Sequence, residues 1–345
     1  MDKVFIVAEI SANHNQSCVR AGELILAAKR AGADAAKLQT YTPDTMTIRC
    51  RRPEFFIRGG TPWDGRTLYS LYQDAYMPWE WQCHLKHLAD EVGIELFSTP
   101  FDKTAVDFLE SKVGVARYKV ASFEIVDLPL IRYIASKGKP MIMSTGMATL
   151  TEIKDAVATA KGAGAVDITL LHCTSAYPAP ADEANLRAIP WLKLQFPRFL
   201  LRTPSISVGF SDHTLGIAAP VAAVALGARM IEKHITLSRQ EPGIDNSFSL
   251  EPDEFKEMVD AVRATEKMLG STLGLTKHEA GSKVFRRSLF VVDDVVEGEK
   301  FTERNVRSIR PGHGLLPKHI DGVLGRKASR DIARGTPMQW GMLVE

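Results

Sequence analysis

Phe210-Ser211-Asp212-His213-Thr214 and, about twenty residues later, Ile231-Glu232-Lys233-His234 are the two stretches on which the reading of the fold turns. Each closes a short apolar run rich in β-formers, so its polar side chains fall at the mouth of a strand, where two imidazoles can share one metal ion. If the same pattern recurs along the chain, the polar strand ends belong to one common site.

It does recur. Candidate strands lie at 4–10, 35–41, 94–99, 117–121, 140–145, 168–173, 206–210 and 229–235, eight in all. Helical patterns run between them, among them Ala21 to Ala31, Glu80 to Val92, Lys103 to Glu110, Pro129 to Lys137, Leu150 to Ala163 and Gly216 to Leu226. Several stop at a glycine, as helix C-termini do: Gly32, Gly93, Gly138, Gly164 and Gly227. Eight strands, each followed by a helix, make a closed (β/α)8 barrel, although a doubly wound open sheet looks similar locally. The polar residues decide between them. They gather at the C-terminal end of nearly every strand: Glu9 with Asn13 and His14, Lys37 with Gln39, Ser98 with Thr99, Lys119 with Ser122, Ser144 with Thr145, Thr174 with Ser175, Ser211 to His213, and Glu232 to His234. An open sheet would concentrate them at one switch point, whereas a barrel collects every strand end around a single mouth. The expected fold is therefore α/β, a (β/α)8 TIM barrel.

Two pieces interrupt the alternation. Residues 42–81 form a long connection after the second strand, with Gly59-Gly60-Thr61-Pro62-Trp63-Asp64-Gly65 at its centre, expected to help wall the mouth unless it is a plain surface excursion. Residues 196–204, bearing Pro197 and Pro204, read as a loop extension before the seventh strand. After Leu269 the texture changes to a polar link and then to Ser288-Leu289-Phe290-Val291-Val292, a turn around Gly298, and Arg307-Ser308-Ile309-Arg310-Pro311-Gly312. The expected division is a catalytic barrel at 1–269, a linker at 270–284 and a small, mostly β domain at 285–345. So small a domain is near the lower limit for independent stability and is expected to lean on the barrel or on a second subunit.

Composition removes several function classes. Hydrophobic residues make up 45% and charged residues 24% of the 345, as in ordinary globular proteins. Forty-three Lys and Arg against 41 Asp and Glu leave a net charge of +2, which argues against nucleic-acid partners and a polybasic membrane anchor. The four cysteines, Cys18, Cys50, Cys83 and Cys173, show no CxxC spacing, so neither a disulfide framework nor a zinc finger is expected. The N-terminal apolar run meets Glu9 too early for a signal-peptide core, and no segment reaches membrane-spanning length. The expectation is a cytoplasmic protein with no membrane partner.

Chemistry follows from residue type. His213 and His234 end adjacent strands, and two histidines with open coordination positions suit a labile catalytic divalent cation better than a closed structural site. Glu232 could orient or complete that site, and buried hydrogen-bonding histidines are the plain alternative. Lys37 and Lys119, with the hydroxyls of Thr99, Ser122, Thr174 and Ser211, are what a phosphate group needs at a barrel mouth. Lysines ion-paired to nearby carboxylates are the plain alternative here. Two rivals stay open: a Schiff-base aldolase using Lys37, Lys119 or Lys233, and a non-catalytic sugar-binding protein. The second has no use for both a phosphate cradle and a metal pair.

The ordered blocks Ala8-Glu9-Ile10-Ser11-Ala12-Asn13-His14-Asn15, Lys37-Leu38-Gln39-Thr40-Tyr41, Ser98-Thr99-Pro100-Phe101-Asp102, Tyr118-Lys119-Val120-Ala121-Ser122, Ser144-Thr145-Gly146-Met147-Ala148, Cys173-Thr174-Ser175-Ala176-Tyr177-Pro178, Ser211-Asp212-His213-Thr214 and Glu232-Lys233-His234 carry a resemblance. Over essentially the whole chain it resembles the sialic acid synthase family, and within it the pseudaminic acid synthase branch. The resemblance implies a TIM barrel joined to a C-terminal antifreeze-like (SAF) domain that reaches across a homodimer to the partner's active site. It implies a transferase that condenses phosphoenolpyruvate with an acetamido sugar, with Mn2+ or Mg2+ as the metal. Carried over residue by residue, the metal ligands fall on His213 and His234, and the phosphoenolpyruvate contacts on Lys37, Thr99, Lys119, Ser122, Thr174 and Ser211. Sugar contacts fall on Gln39, Tyr177 and Asp245, the arginine of the swapped domain on Arg310, and the catalytic carboxylates on Glu9 and Glu232. Ala176, where sialic acid synthases carry Asn, favours the pseudaminic branch, whose sugar is 2,4-diacetamido-2,4,6-trideoxy-altrose. N-acetylmannosamine and the legionaminic precursor are the runners-up. Ile244 before Asp245 fits neither branch and leaves the path of the chain there open.

Overall fold

Eight parallel strands pair in chain order and close on themselves: β1 (Phe5–Glu9), β2 (Ala35–Thr40), β3 (Glu95–Pro100), β4 (Tyr118–Val120), β5 (Met141–Ser144), β6 (Asp167–His172), β7 (Ser205–Asp212) and β8 (Met230–His234). The seam is the β1–β8 ladder, which sets Glu9 beside His234 although more than two hundred residues separate them. This is a computed structural model that describes residues 3–61, 63–196, 205–270 and 274–345. The loop extension expected at 196–204 lies, beyond Phe196, outside the described residues.

A helix follows each strand: Cys18–Ala31, Trp79–Val92, Lys103–Phe108, Leu128–Ala135, Leu150–Gly162, Ala188–Gln195, Ala218–Ala225 and Pro252–Met268. Several of their starts are written in polar capping side chains, whereas those at Trp79, Ala188 and Ala218 have none. Ser17 accepts from the Arg20 amide, Asp102 from Thr104 and Ala105, and Thr149 forms a reciprocal box with Glu152. The helix expected at 103–110 departs from regular geometry after Phe108. Residues Leu109–Val113 widen into a π turn closed by the Gly114 amide on the Leu109 carbonyl at 2.8 Å, and Gly114 adopts the φ of 71° which that closure needs.

The strands are buried on both faces, as a barrel sheathed in helices requires. Ile6, Leu96, Tyr118, Ile142, Leu170 and Phe210 join Leu24, Ile25, Leu85, Ile131 and Phe255 of the helices in one apolar core. Strand β7 runs two residues past its expected end, to Asp212, because the ladder to β8 continues through Ser211 and Glu232. The 42–81 connection is not featureless. It holds short helices at Pro43–Met46 and Leu68–Ala75 and a bridge between Phe56 and Thr67.

The chain divides into two compact units, Met1–Gly270 and Ser271–Glu345. The second carries antiparallel pairs Ser288–Val291 with Val306–Ile309 and Lys327–Ala328 with Leu343–Val344. Its own core is built from Leu289, Val291, Val295, Phe301, Val306, Val323 and Met338. Arg310 is exposed just past the second of these strands. Among the described residues no helix is long and apolar enough to cross a membrane.

Candidate active site

Period-two alternation places Lys37 with Gln39 and Glu232 with His234 on common faces of their strands, and His213, just past the end of β7, follows the face of Ser211. Barrel closure joins them into one buried network. Lys37 Nζ lies 2.6 Å from a Glu9 oxygen and 3.8 Å from Glu232, and donates to Thr99 Oγ1 at 3.2 Å. Glu232 Oε1 accepts from Lys119 Nζ at 3.2 Å and from Ser211 Oγ at 2.9 Å. Gln39 donates to Glu9 at 3.0 Å and to Ser11 Oγ at 3.0 Å, and Ser11 donates to Asp245 at 2.6 Å. The carboxylate pairing foreseen as the plain alternative for the two lysines is thus present, and it builds the network.

The two carboxyl groups titrate far apart. Burial, reinforced by the charge of Glu232 and opposed by Lys37, raises Glu9 to about 7. Burial also pushes Glu232 upward, but Lys119 and Lys37 outweigh it and hold that carboxyl at about 2. Two carboxyls whose surroundings separate them in this way are suited to different tasks, one carrying a proton near neutrality and one staying ionised. Burial lowers Lys119, whereas for Lys37 burial is outweighed by Glu232 and Glu9 and the ammonium is favoured.

Beside this network the rings of His213 and His234 stand 5.5 Å apart, centroid to centroid. Burial lowers both, His234 further because His213 is its neighbour, so both are neutral imidazoles at pH 7, the form that binds metal. His213 Nδ1 bonds the Thr174 carbonyl at 2.9 Å, while His234 Nδ1 is buried with no hydrogen-bond partner among the described residues. A divalent cation fits such a pair. Among the described residues no group of three or more His, Cys, Asp or Glu is arranged to hold a metal. Glu232, considered as a third ligand, is turned instead to Lys119 and Ser211.

The remaining residues divide. Ser122 Oγ meets Ser175 Oγ at 2.9 Å; Thr174 Oγ1 is committed to the Glu183 carbonyl at 2.9 Å. Tyr177 packs on His213 at 4.5 Å and on Phe248 at 5.4 Å. Asp245 is raised by burial, and Ile244 does not turn it away, since it reaches both Ser11 and the Ala12 amide. Asn13 and His14, grouped with Glu9 by sequence, are turned elsewhere: Asn13 bonds Ile235 O and Ser249, and His14 packs edge-on to Trp81. Ser98 likewise pairs with Thr40, which in turn bonds Gln82. Lys233, a Schiff-base candidate by sequence, has a side chain with 0% exposure and is tied to Asp212.

The long connection walls the mouth as expected, and three residues not singled out by sequence complete the site. Trp63 brings the long connection to the mouth: its ring lies 5.8 Å from Tyr177 and its indole donates to the Ile244 carbonyl at 3.2 Å. The signal was Asp64 next to it, whose carboxylate gathers the amides of Gly59, Gly60 and Thr61 into a fixed turn. Glu124, two residues past Ser122, is raised to about 7 by burial, against the pull of Lys119, and its Oε2 is buried without a hydrogen-bond partner among the described residues. Ser11 links Gln39 to Asp245.

The floor of the mouth is tight at Gly146. A Cβ there would stand 2.2 Å from Ser175 Oγ and 2.8 Å from Cys173 Sγ. Gly146→Ala is expected to push Ser175 off Ser122 and to destabilise the barrel by about 1–3 kcal/mol, the usual cost of overpacking. A denaturant melt superimposable on wild type would contradict this.

Comparison with known proteins places this geometry. The chain matches the NeuB family over residues 24–273 and the SAF domain over residues 286–344. It is 46% identical over 340 residues to the pseudaminic acid synthase of Campylobacter jejuni subsp. jejuni serotype O:2, covering 98% of this chain and 96% of that one. It is 43% identical over 335 residues to the pseudaminic acid synthase of Helicobacter pylori, covering 96% of each. The crystal structure of a spore coat polysaccharide biosynthesis protein from Bacillus subtilis aligns with a TM-score of 0.65 at 36% identity, over 100% of this chain and 96% of that one. Near full-length identity to such relatives bears out what the strand-end blocks suggested. The chain belongs to the NeuB family, the sialic acid synthase family of phosphoenolpyruvate-dependent condensing enzymes, and it ends in an SAF domain.

Proposed function

We propose that the protein catalyses the pseudaminic acid synthase reaction: phosphoenolpyruvate condenses with open-chain 2,4-diacetamido-2,4,6-trideoxy-altrose to give a nine-carbon 2-keto acid and phosphate. The observation that carries the reading is the convergence of two lysines, two carboxyls that titrate far apart and two neutral histidines on one barrel mouth. The choice of sugar is supported by the relatives named pseudaminic acid synthase, by Ala176, and by the aromatic wall of Trp63 and Tyr177, which suits a deoxy sugar.

With Glu9 protonated, the cluster of Lys37, Lys119 and Glu232 carries one positive charge in excess, which favours an anionic group beside the two lysines. Lys37 and Lys119, with Thr99, Ser122 and Ser211, hold the phosphate and carboxylate of phosphoenolpyruvate, the Thr174 hydroxyl joining them by turning from the Glu183 carbonyl, and so orient the enol carbon, which is the positioning a two-substrate condensation requires. Gln39, Tyr177 and Asp245 hold the sugar. His213 and His234 would hold Mn2+ or Mg2+, which when bound supplies Lewis-acid polarisation of the sugar aldehyde. As the carbon–carbon bond forms, Glu9 gives its proton to the aldehyde oxygen. Water then adds at C2 and returns one proton to Glu9; the C2–O bond to phosphate breaks as the C2 carbonyl forms, and the remaining hydroxyl proton leaves with the phosphate. Glu232 stays ionised throughout and keeps Lys119 and Ser211 in place.

Phosphate release measured with the altrose derivative, N-acetylmannosamine and the legionaminic precursor tests the acceptor. The altrose derivative is expected to lead in kcat/KM by at least about tenfold, the discrimination that gained or lost pocket contacts supply. Faster turnover of either other sugar would overturn the acceptor assignment.

In the same reading the protein is a homodimer in a reducing, cytoplasmic setting, and Arg310 is offered to the sugar by the SAF domain of a second copy. Arg310→Ala is then expected to raise the sugar KM by about 10- to 100-fold, the loss of one charged hydrogen bond, and to leave the phosphoenolpyruvate KM near wild type. An unchanged sugar KM would remove Arg310 from the site.

One observation favours a second reading. Lys119 is lowered by burial, which is what an imine-forming amine needs.

A further inference from the structure

The Asp212–Lys233 ion pair stands one residue from each histidine and takes no part in the chemistry proposed above. Alternation sends Ser211 and His213 to one side of β7 and Asp212 to the other, and likewise separates Glu232 and His234 from Lys233 on β8. The ladder pairs Ser211 with Glu232 and Asp212 with Lys233, so the two charged side chains meet across the strand seam behind the histidines. Their charged atoms are 2.5 Å apart, and both side chains have 0% exposure. Lys233 Nζ donates also to the Thr214 carbonyl, and Asp212 Oδ1 accepts from the Thr214 amide at 2.9 Å. Both sequence neighbours of His213 are thereby tied to the residue that precedes His234.

Stability does not account for this arrangement. Burying an ammonium and a carboxylate costs several kcal/mol for each, and apolar groups of similar volume often pack as well or better. What apolar groups lack is direction, and direction is what the two histidines need. The ring of His213 is anchored from the β6 side by the Thr174 carbonyl, whereas Nδ1 of His234 has no hydrogen-bond partner among the described residues. The register of the β7–β8 seam is therefore what relates one ring to the other.

We propose that Asp212 and Lys233 are positioning residues whose buried bond, extended to Thr214, sets the separation and orientation of His213 and His234 and so the affinity for a divalent cation. The inference rests on the reading of the two histidines as the metal-holding pair.

Lys233→Met alone would strand a buried carboxylate, so the informative variant is the double change Asp212→Asn with Lys233→Met, which removes both charges at nearly constant shape. Mn2+ titration of the full-length protein, followed by the paramagnetic resonance of the free ion, is compared among wild type, the double variant, His213→Ala and His234→Ala. The double variant is expected to bind Mn2+ about 10- to 100-fold more weakly, as loss of groups that orient metal ligands does. Its affinity for phosphoenolpyruvate without metal should stay near wild type. A folded double variant with wild-type Mn2+ affinity overturns the inference, and if the two alanine variants have meanwhile lost Mn2+, the histidine reading survives alone. Wild-type Mn2+ affinity in both alanine variants overturns both.

Discussion

His213→Ala and His234→Ala are each expected to lower turnover by at least about 10^3-fold, because polarisation of the aldehyde by a bound cation contributes several kcal/mol and each 1.4 kcal/mol is a factor of ten. The loss should not come from unfolding. Truncating His213 leaves the Thr174 carbonyl without its donor, a cost of about 1–3 kcal/mol against a typical 5–15 kcal/mol of total stability. His234 Nδ1 has no hydrogen-bond partner to strand among the described residues. Near-UV circular dichroism close to wild type, beside absent phosphate release, is the expected pair of readings. Wild-type turnover without metal in either variant would remove the histidines from the mechanism.

Glu9→Gln is expected to lower kcat by about 10^2- to 10^4-fold, the range for loss of a proton-transferring group. The substitution keeps the shape and the Gln39 contact but removes the titrating proton. The sign of the pH dependence follows from the raised value. Glu9 holds its proton below about 7 and loses it above, so a group that must donate first gives a wild-type rate that falls as pH rises through that value. In the Gln variant this alkaline limb should vanish. A rate that instead climbs through the same range would make Glu9 the initial base. A limb that persists in Glu9→Gln would shift the proton to Glu124, which burial also raises to about 7.

The barrel was legible because its signals are local. Each strand is a short apolar run, most of the helices open on a capping side chain such as Ser17 or Asp102, and polar residues mark the strand ends. The ring of Lys37, Lys119, Glu232, His213 and His234 was legible for the same reason. What stayed hidden depends on where the chain returns. Nothing near Glu9 says that Asn13 will bond Ile235 and Ser249, because that contact exists only once β8 has closed against β1. Trp63 reaches Tyr177 across more than a hundred residues of sequence, and only the turn held by Asp64 hints at its fixed direction. The π turn at Leu109–Val113 was hidden because its first two residues read as the end of an ordinary helix at Glu110; the wider closure shows only in the Gly114 bond.

In the proposed reaction the condensation depends on a cation at the histidine pair and uses no covalent lysine adduct. Phosphate release from phosphoenolpyruvate and the altrose derivative, measured with excess chelator, after Mn2+ is restored, and with borohydride present, tests it most directly. The expected result is no release with chelator, recovery with Mn2+, and no sugar or pyruvate carbon trapped on Lys37 or Lys119. Full activity in chelator, or a reduced adduct on either lysine, would contradict it.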